Sequence, residues 1–597
     1  MSNSMYQSYL NQPQFSENDA AGRFLNGMMR FVLQETAVQH RQIKKIWAKP
    51  LPVRVADGYA IENVTIVKSF DNGQIELVCG RNQSRFRAGD ILVLSKGNPA
   101  QEPRVLVNLD AEFETTLRVS SATPFNWGNV LTESDDWVLD IGYLDLSSFF
   151  LNALAEAGDT VVGRDRILPL LMGRLAPNID PGLYDRGLEM GEALGLNWSQ
   201  SEALANAYAT DLVYLIQGPP GTGKTRVLAH LAQALVSDGE RVLVTSFTHR
   251  AINNALNKLA EVAPDVLAVK IGQESVADDL LVENYKRYSL SPLVDVAGGY
   301  VIGGTPFATC TKRLSGVEFD TIIFDEASQV TLPLAVMGML RAKKYIFIGD
   351  QQQLPPVLTT RYSGGAFRES VFSLLVDQNY DTMLTETYRL NEQLTEWPSE
   401  QFYEGLLTSA AVVADLKMEF PTLPNRLETV LDVEKTAVFY DIMHHNNTTS
   451  SYKEANAVVE LVQTVVETGF PAHEIGIVTP YRAQARLIRS LLRKTVSDDI
   501  HPDHIVTDTV ERMQGQERDL IILSLTTSNP RFAADLADFF FQPERLNVAI
   551  TRPRRKLIIV GSRHVLDAKP NKDEHKEFVQ ILGQLLKHCA YVPYEYG

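Results

Sequence analysis

Two segments of the chain contain the residue types that bind and hydrolyse a nucleoside triphosphate. The first fits the pattern G-x-x-x-x-G-K-[ST], whose backbone N–H groups wrap phosphates. It consists of Gly218, Pro219, Pro220, Gly221, Thr222, Gly223, Lys224 and Thr225. In the second, the apolar run 322–324 ends in Asp325 and Glu326. The pairing predicts phosphoryl-transfer chemistry, against the competing interpretation of a chance glycine turn and an acidic strand end.

Each side chain of this pair has a predicted role. Lys224 reaches the terminal phosphates of ATP. The Thr225 hydroxyl and the Asp325 carboxylate hold Mg²⁺, directly or through water, because this ion prefers oxygen ligands. Glu326 is the candidate base for the attacking water. ATP and Mg²⁺ are therefore the predicted cofactors.

The elements around these segments predict α/β structure. Apolar residues 212–216 precede the glycine loop and the helix-like stretch 226–236 follows it, which is the strand, loop and helix context of the motif. Alternating strands and helices continue through 242–245, 321–324 and 345–348. This pattern is typical of a parallel sheet, in which ligands bind at the carboxyl ends of the strands.

A second series of apolar strands begins near Thr382. It comprises 437–440, 475–478, 520–525 and 557–560. Two α/β domains in tandem are therefore predicted, at 191–380 for the ATP site and at 381–597.

Polar residues in both series can contact the terminal phosphate. Gln353 follows a strand in the first domain, and Arg389 and Arg552 belong to the second. Arginine suits this task because its planar fork matches phosphate oxygens. If both arginines cross the cleft, the two domains close only over ATP. Surface arginines in ordinary salt bridges are the competing interpretation.

The N-terminal part of the chain has a different predicted pattern of secondary structure. Residues 1–20 are predicted to be disordered and 21–52 to form a helix. Short β-rich runs fill 53–145, which predicts a small barrel or sandwich, and helices return at 146–190. The β module is thus expected to sit between two stalk segments.

Composition excludes several classes of protein. The chain has 597 residues, a net charge of −17 and three cysteines. This favours a globular protein without a disulfide framework or a cysteine-rich metal module. We expect no transmembrane helix and no signal peptide, and therefore a cytoplasmic location. Between 479 and 563 the balance reverses, with 14 Lys or Arg against 10 Asp or Glu, which permits phosphate binding.

Taken in order, the segments from Leu196 to Gly561 resemble the motifs of superfamily 1 helicases. The similar branch contains the nonsense-mediated-decay RNA helicase and the Okazaki-fragment nuclease-helicase. The resemblance implies two tandem RecA-like P-loop domains with an N-terminal β-barrel on stalk helices. It also implies that Gln200 reads adenine, that Tyr388 stacks on it and that Glu517 contacts the ribose. By the same likeness, the side chains that contact the γ-phosphate are Gln353, Arg389 and Arg552.

Residues near strand ends are the predicted contacts to a nucleic-acid backbone. The hydroxyl groups are those of Thr248, Thr305, Thr479 and Thr509, and Arg482 adds a cation. Phe307 and Tyr481 can stack on bases. Ordinary capping remains the alternative for the threonines, and burial in a core remains the alternative for the two rings.

The sequence thus predicts an ATP-dependent helicase or translocase on single-stranded DNA or RNA, which moves 5′ to 3′ by family likeness. An ATP-switched clamp that binds without stepping is the alternative, because both need ATP-gated closure. We expect a separately encoded nuclease or regulatory protein as partner and no membrane association. The runs around His444 and His501 contain metal-ligand types, but loop histidines are far commoner than metal sites.

Overall fold

The computed structural model describes residues 14–70, 73–80, 82, 84–87, 89–113, 115–122, 136–274, 277, 279–360, 366–495 and 504–594. Residues 1–13 of the predicted disordered N-terminus lie outside this set. Phe15, within the remainder of that stretch, is held by the side chain of Asn26. The Asn26 Oδ1 accepts from the Phe15 N–H at 3.2 Å, and its Nδ2 donates to the Phe15 carbonyl at 2.9 Å.

Two long helices form the base of the N-terminal part. Helix α1 (Ala20–Trp47) begins at Asp19, whose carboxylate accepts from the Gly22 N–H at 3.3 Å. The short helix α2 (Leu51–Ala56) follows. The apolar face of α1, with Leu25 and Met28 buried, packs against helix α3 (Ser147–Asp159). These two helices are the stalk.

Six antiparallel strands close into a barrel between the stalk helices, in the order β1-β2-β5-β4-β3-β6. The strands are β1 (Ala60–Ser69), β2 (Gln74–Val78), β3 (Ile91–Ser95), β4 (Arg104–Glu112), β5 (Thr116–Ser121) and β6 (Trp137–Ile141). Alternate residues of each strand fill the interior around Trp137, as the period of two requires.

Two contacts fasten the barrel to the stalk. At the end of α1, the Trp47 Nε1 donates to the Ile141 carbonyl at 2.8 Å. In α2, the Arg54 Nε donates to the Asp140 carboxylate at 2.7 Å, and both side chains are at most 4% exposed. Because Asp140 lies on the last barrel strand, this buried ion pair fixes the barrel at its base.

The first α/β half is built on an eight-stranded sheet in the order β10-β9-β11-β8-β12-β13-β7-β14, with parallel neighbours. Its strands are β7 (Val213–Gln217), β8 (Arg241–Thr245), β9 (Ala268–Ile271), β10 (Glu283–Tyr285), β11 (Tyr300–Gly303), β12 (Phe319–Phe324), β13 (Ala342–Gly349) and β14 (Asp381–Met383). Its helices are α4 (Leu168–Leu171), preceded by a π-helical turn at Gly163–Ile167, α5 (Pro181–Ala193), α6 (Trp198–Ala209), α7 (Lys224–Ser237), α8 (His249–Val262), α9 (Pro306–Thr309), α10 (Leu332–Met339) and α11 (Val371–Leu375).

The second half contains a parallel six-stranded sheet in the order β19-β18-β20-β21-β17-β22. The short pair β15 (Glu386–Thr387) and β16 (Thr408–Ser409) precedes β17 (Ala437–Asp441), β18 (Ile475–Thr479), β19 (Val506–Thr509), β20 (Arg518–Ser524), β21 (Pro553–Gly561) and β22 (Ala590–Pro593). The helices are α12 (Glu392–Phe402), α13 (Ala411–Ala414), α14 (Glu428–Leu431), α15 (Tyr452–Glu467), α16 (Arg482–Thr495), α17 (Val510–Met513), α18 (Pro530–Asp535), α19 (Ala537–Phe540), α20 (Pro543–Ile550) and α21 (Asp573–His588).

The stalk is tied to the loop that follows β13. The Glu35 carboxylate on α1 accepts from the backbone N–H of Thr359 at 2.7 Å and from that of Thr360 at 2.9 Å. The stalk therefore contacts the segment that also carries Gln353.

Two further sequence predictions concern membranes and thiols. Within the described ranges, no helix has the length and the apolar character needed to cross a membrane. Cys79 and Cys589 are buried free thiols and Cys310 is partly buried. Burial raises the pKa of all three thiols, which keeps them protonated and unreactive.

The buried pair at the base of the barrel supports a stability prediction. We expect Arg54→Ala to lower the free energy of unfolding of the barrel by about 3 kcal/mol, because it leaves the Asp140 charge buried without its partner. Hydrogen exchange of the β6 amides measures this change. Lys49→Ala is the matched control, because Lys49 pairs with Asp57 at the surface, with side chains 44% and 38% exposed, respectively. For this variant we expect a loss below about 1 kcal/mol. Equal losses in the two variants would contradict the account.

Candidate functional site

Three adjacent strands of the first sheet bring the candidate residues to one edge. The neighbours β12, β13 and β7 end in Asp325, in Asp350 and in the glycine loop from Gly218, respectively. Because the three strands are parallel, their carboxyl ends meet. The predicted strand, loop and helix context of the loop is therefore present.

The loop between β7 and α7 depends on two glycines with left-handed backbone. Gly221 has a φ of +77° and Gly223, which precedes the first turn of α7, has a φ of +83°. A Cβ on Gly223 would lie 2.7 Å from the Gln200 Nε2, and one on Gly221 would lie 2.5 Å from the Arg389 Cβ. The loop is thus enclosed on both sides, and it lies at the N-terminus of a 14-residue helix, a position that favours anions.

Lys224 lies at the centre of the site. Its Nζ donates to the Gly218 carbonyl and, at 3.5 Å, to that of Pro219. Burial lowers the pKa of Lys224, while the carboxylates of Glu326, Asp350 and Asp325 oppose this shift. The ammonium group therefore faces three acidic side chains across the space that the loop encloses.

Asp325 and Glu326 occupy the turn after β12. The Asp325 N–H donates to the Thr245 carbonyl at 2.8 Å, and the Glu326 N–H donates to the Asp325 Oδ1 at 3.0 Å. Burial, followed by the charge of Glu326, raises the pKa of Asp325 to about 7, although Lys224 lowers it. Glu326 has a φ of +52°, a strained value for a non-glycine residue. A carboxylate with a raised pKa beside a second acid suits a cation site.

Gln353 is buried beside Asp350 in the loop after β13. The Gln353 Nε2 donates to the Asp350 Oδ2 at 2.7 Å. Burial raises the pKa of Asp350, and the surrounding donors lower it. The predicted phosphate-contacting amide is therefore held at the same sheet edge as Lys224.

The segment predicted to read adenine caps helix α6. The Asn197 side chain and Gln200 form a capping box, and the Gln200 Nε2 donates to the Thr222 carbonyl at 2.9 Å. The Asn197 Nδ2 donates to the Tyr388 hydroxyl at 3.0 Å. Tyr388 is 40% exposed, so part of its ring remains accessible at this end of the loop.

The second half contacts the glycine loop directly. The Tyr388 N–H donates to the Gly221 carbonyl at 2.9 Å, and the Thr387 hydroxyl donates to that of Pro220 at 2.8 Å. The next residue, Arg389, donates from Nε to Glu517 at 2.6 Å and from Nη1 to the Thr551 carbonyl at 3.2 Å. Arg389 and Glu517 thus lie beside the loop.

Arg552 is a buried cation bonded to neutral oxygens. It is 2% exposed and donates to the carbonyls of Val548 at 2.8 Å and Gln516 at 3.4 Å and to the Thr551 hydroxyl at 3.4 Å. Burial and the charge of Arg389 lower the pKa of Arg552 to about 9, and Glu326 raises it. None of these three acceptors is charged, so an anion supplied to this place would be strongly attracted.

The structure adds residues to the site that the sequence reasoning left without a role. The Gln514 Nε2 donates to the Glu326 Oε2 at 3.2 Å, which ties the predicted base to the second half. Tyr403 and Asn547 join the two halves beside Asp350. The Gln514-Gly515 pair is the sequence pattern that could have identified Gln514. No periodicity distinguishes a buried tyrosine, such as Tyr403, that bridges two domains.

The two predicted threonines of the first half differ in exposure. Thr248 is exposed, and its hydroxyl accepts from the Ala251 N–H at 3.2 Å as the cap of α8. Thr305 is half-buried at the start of α9. The neighbouring Phe247 is 54% exposed, an accessible ring that the sequence reasoning missed.

Three other predicted strand contacts pack against or bond to the protein itself. Phe307 packs edge-on between Phe149 and Phe150, with ring centroids 6.1 and 5.4 Å away. Tyr481 is 8% exposed, and the rings packed around it are those of Phe532, Phe539 and Phe540. The hydroxyl of buried Thr479 donates to the Tyr481 carbonyl at 2.8 Å. We therefore do not propose base stacking on Tyr481, because aromatic rings surround it. Phe307 is half-buried, and its base contact stays a prediction.

The barrel contacts the remaining two predicted residues. The Arg87 Nη2 donates to the Thr509 Oγ1 at 3.3 Å, and Arg482 donates to the Arg85 carbonyl. Arg486 also donates to the Ser84 carbonyl at 3.4 Å. Arg482 and Thr509 thus lie where the barrel contacts the second half.

Of the two candidate histidines, the structure describes His444. His444 is buried, with Nε2 2.5 Å from Glu454 and Nδ1 2.8 Å from the Ser528 hydroxyl. His501 lies outside the described residues. In the part of the chain that the structure describes, no group of His, Cys, Asp and Glu is arranged to hold a metal on its own.

Comparison with known proteins agrees with the two-half architecture. Residues 195–415 match one family model described as an AAA domain, and residues 367–564 match a second model with the same description. Together these matches cover both the glycine loop and Arg552.

Curated relatives share this region. The chain is 27% identical over 496 residues to the DNA replication ATP-dependent helicase/nuclease DNA2 of Saccharomyces cerevisiae, covering 75% of this chain and 32% of the relative. It is 28% identical over 440 residues to the DNA polymerase alpha-associated DNA helicase A of Schizosaccharomyces pombe. This match covers 62% of this chain and 64% of the relative. The chain thus spans about a third of the first relative and less than two thirds of the second.

Solved structures are more distant. The crystal structure of Arterivirus nonstructural protein 10 (helicase) aligns with 89% of this chain and 82% of that one, at 13% identity and a TM-score of 0.38, which is too low to support an argument about the fold. The family matches, the curated relatives and the order of the motifs lead to one conclusion. Over residues 195–564, the chain is similar to a superfamily 1 helicase core.

Proposed function

We propose that the protein is an ATP-dependent helicase or translocase that acts on single-stranded nucleic acid. Two observations carry this proposal. The second half bonds to the glycine loop through Thr387 and Tyr388. The charge of Arg389 acts on Lys224, and that of Glu326 acts on Arg552. A phosphate between them would bond to both halves. Binding and hydrolysis of ATP would then drive closing and opening of the cleft.

ATP fits the residues that surround the glycine loop. The loop N–H groups and Lys224 would hold the phosphates, and Gln353, Arg389 and Arg552 would contact the γ-phosphate. Glu326 would accept the proton of the attacking water. At the other end, Gln200 would read adenine and Tyr388 would stack on it.

Mg²⁺ fits Thr225 and Asp325, which supply hydroxyl and carboxylate oxygens. When bound, this ion neutralises charge that develops on the phosphate oxygens. We propose that the Glu517 carboxylate contacts the ribose of ATP. Its carboxylate already bonds to Arg389, which lowers the pKa of Glu517, so it also orients that arginine.

The strand would bind at an arginine face between the barrel and the second half. This face consists of Arg85, Arg87, Arg482, Arg486, Arg489 and Arg512. Burial and the charges of Arg87 and Arg512 lower the pKa of Arg482 to about 10. Like charges held this close favour a polyanion between them.

Four carboxylates moderate the charge of the arginine face: Asp90, Glu112, Asp508 and Glu511. Of these, Glu112 lies 3.2 Å from Arg512. The face is therefore positive within a chain whose net charge is −17. With exposed Thr248 and Phe247 on the first half, it forms the proposed strand path.

The names of the curated relatives support DNA as the strand, and family likeness supports 5′ to 3′ movement. We propose that the barrel on its stalk is an accessory domain that holds the strand. A separately encoded nuclease or regulatory partner and a cytoplasmic location remain proposals from the sequence.

The hydrolysis mechanism predicts which substitutions stop ATP turnover. We expect Arg552→Ala to lower strand-stimulated kcat by about 10³-fold or more, as for arginine fingers that stabilise phosphoryl transfer. Glu326→Gln, which removes the base, should lower it by about 10²- to 10⁴-fold. Lys224→Ala should abolish turnover. Phosphate release measures all three, with Lys343→Ala as control because that side chain is 71% exposed. Undiminished turnover in the Glu326 variant would overturn the assigned base.

The arginine face predicts a change in the salt dependence of strand binding. Arg486→Ala should weaken binding of a fluorescent single-stranded DNA and reduce the slope of log K against log salt by about one. Arg426→Ala is the matched control, because its ion pair with Glu467 is exposed and lies outside the face. An unchanged slope in the first variant would remove Arg486 from the strand path.

Unwinding separates the helicase from the clamp. We expect ATP-dependent displacement of a duplex with a 5′ overhang and little displacement of one with a 3′ overhang. ATP-dependent binding of the overhang without displacement would support the clamp instead.

The raised pKa of Asp325 predicts a pH dependence of stability. Without magnesium, the folded pKa of about 7 exceeds the unfolded value of about 3.9, so the folded state holds this proton more tightly. This group therefore stabilises the protein at low pH, and its contribution is lost as pH rises from about 4 to about 7. Relative to wild type, Asp325→Asn should show a smaller fall in Tm between about pH 5 and about pH 8. Above pH 7, Mg²⁺ should raise the Tm of wild type more than that of the variant. Identical profiles would contradict the assignment.

A further inference from the structure

Tyr403 joins the two halves beside the nucleotide site without touching the glycine loop. It follows helix α12 of the second half and is 2% exposed. Its hydroxyl donates to the Asp350 Oδ2 at 2.8 Å and accepts from the Asn547 Nδ2 at 2.8 Å. One buried hydroxyl thus connects β13 of the first half to α20 of the second.

On the first-half side, Tyr403 shares its acceptor with Gln353. The Gln353 Nε2 and the Tyr403 hydroxyl both donate to the Asp350 Oδ2, while the Oδ1 accepts from the Gln352 N–H at 3.1 Å. Burial raises the pKa of Asp350, and these donors favour its charged form. Any change of partner by the Gln353 amide therefore alters the bond that Tyr403 makes.

On the second-half side, Asn547 lies in α20, five positions before Arg552. Its Nδ2 also donates to the Gln352 carbonyl at 2.8 Å. Its own carbonyl accepts from the Thr551 N–H at 3.1 Å and hydroxyl at 2.6 Å. The next carbonyl along α20, that of Val548, accepts from the Arg552 Nε. A displacement of Asn547 would thus shift the turn that holds the arginine.

We propose that Tyr403 is a positioning residue that couples Gln353 of the first half to Arg552 of the second, acting through Asp350 and Asn547. This inference rests on the proposed ATP hydrolysis and adds a route by which the two phosphate-contacting groups are aligned with each other. Burial makes the route rigid, because each hydrogen bond in a low-dielectric interior is costly to break. Asn547 is a second positioning residue of the same route.

The kinetic signature of positioning is a split between kcat and KM. Tyr403→Phe keeps the ring, which packs near Phe402 at a centroid distance of 6.4 Å, and removes only the hydroxyl. We expect strand-stimulated kcat to fall about tenfold while the KM for ATP stays within about twofold, because Tyr403 acts on alignment and not on ground-state binding. Tyr591→Phe is the matched control. The Tyr591 hydroxyl also donates to an aspartate, Asp441, at 3.3 Å. The Tyr591 side chain is half-exposed, and neither residue belongs to the nucleotide site.

A double-mutant cycle tests the route itself. Tyr403→Phe and Asn547→Ala should be non-additive in kcat, since either change interrupts the same chain, whereas Tyr403→Phe and Tyr591→Phe should be additive. Asp350→Asn keeps the shape of the shared acceptor and removes its charge, and we expect the same kcat loss from it. This variant replaces Tyr403→Phe in the test should the latter fail to fold. The Tm of every variant is measured alongside.

The outcomes separate this inference from the proposed function. Absence of strand-stimulated ATPase in the wild type would overturn the proposed function and the inference together. Normal stimulation in the wild type with full kcat in Tyr403→Phe, a loss confined to KM, or additivity with Asn547→Ala would overturn the inference alone.

Discussion

The structure depends on an electrostatic arrangement that one half of the molecule cannot satisfy by itself. Lys224 is half-buried, and the charges of three carboxylates at the edge of the first sheet act on it. Arg552 is buried in the second half and donates to neutral acceptors. Burial and the charge of Arg389 lower the pKa of Arg552. A triphosphate between the two halves would supply the missing negative charge. Nucleotide binding and domain closure are therefore the same event in this account.

The folds of the two halves follow from this requirement. In the first sheet, parallel strands place the glycine loop, Asp325 and Asp350 at one edge. In the second sheet, Gln514 and Arg552 precede the paired strands β20 and β21, so they meet at the opposite, amino-terminal edge. The stalk is bonded to the loop beyond Gln353 through Glu35. The barrel is fastened to the stalk by the bond from Trp47 to the Ile141 carbonyl, and to α2 by the pair of Arg54 and Asp140. The stalk thus contacts the loop beyond Gln353, and the barrel contributes Arg85 and Arg87 to the arginine face.

Sequence alone predicted the parts that local chemistry determines. The glycine loop and the acidic turn after β12 were identifiable because spacing within one segment defines them. The β-rich texture of 53–145 likewise indicated a barrel or sandwich, and six strands in that region close into a barrel. Contacts between distant segments were not visible: the burial of Tyr481 by three phenylalanines, the insertion of Phe307 against α3, and the bridge from Asp350 through Tyr403 to Asn547. Each joins residues separated by many positions, and hydrophobic periodicity carries no information about such pairs.

The central claim is that guanidinium groups of the second half complete the phosphate site of the first. A crystal structure with a non-hydrolysable ATP analogue tests it most directly. The account predicts guanidinium nitrogens of both Arg389 and Arg552 within about 3 Å of γ-phosphate oxygens, with Lys224 on the same phosphate. An analogue held by the first half alone, with both arginines directed away from it, would contradict the account.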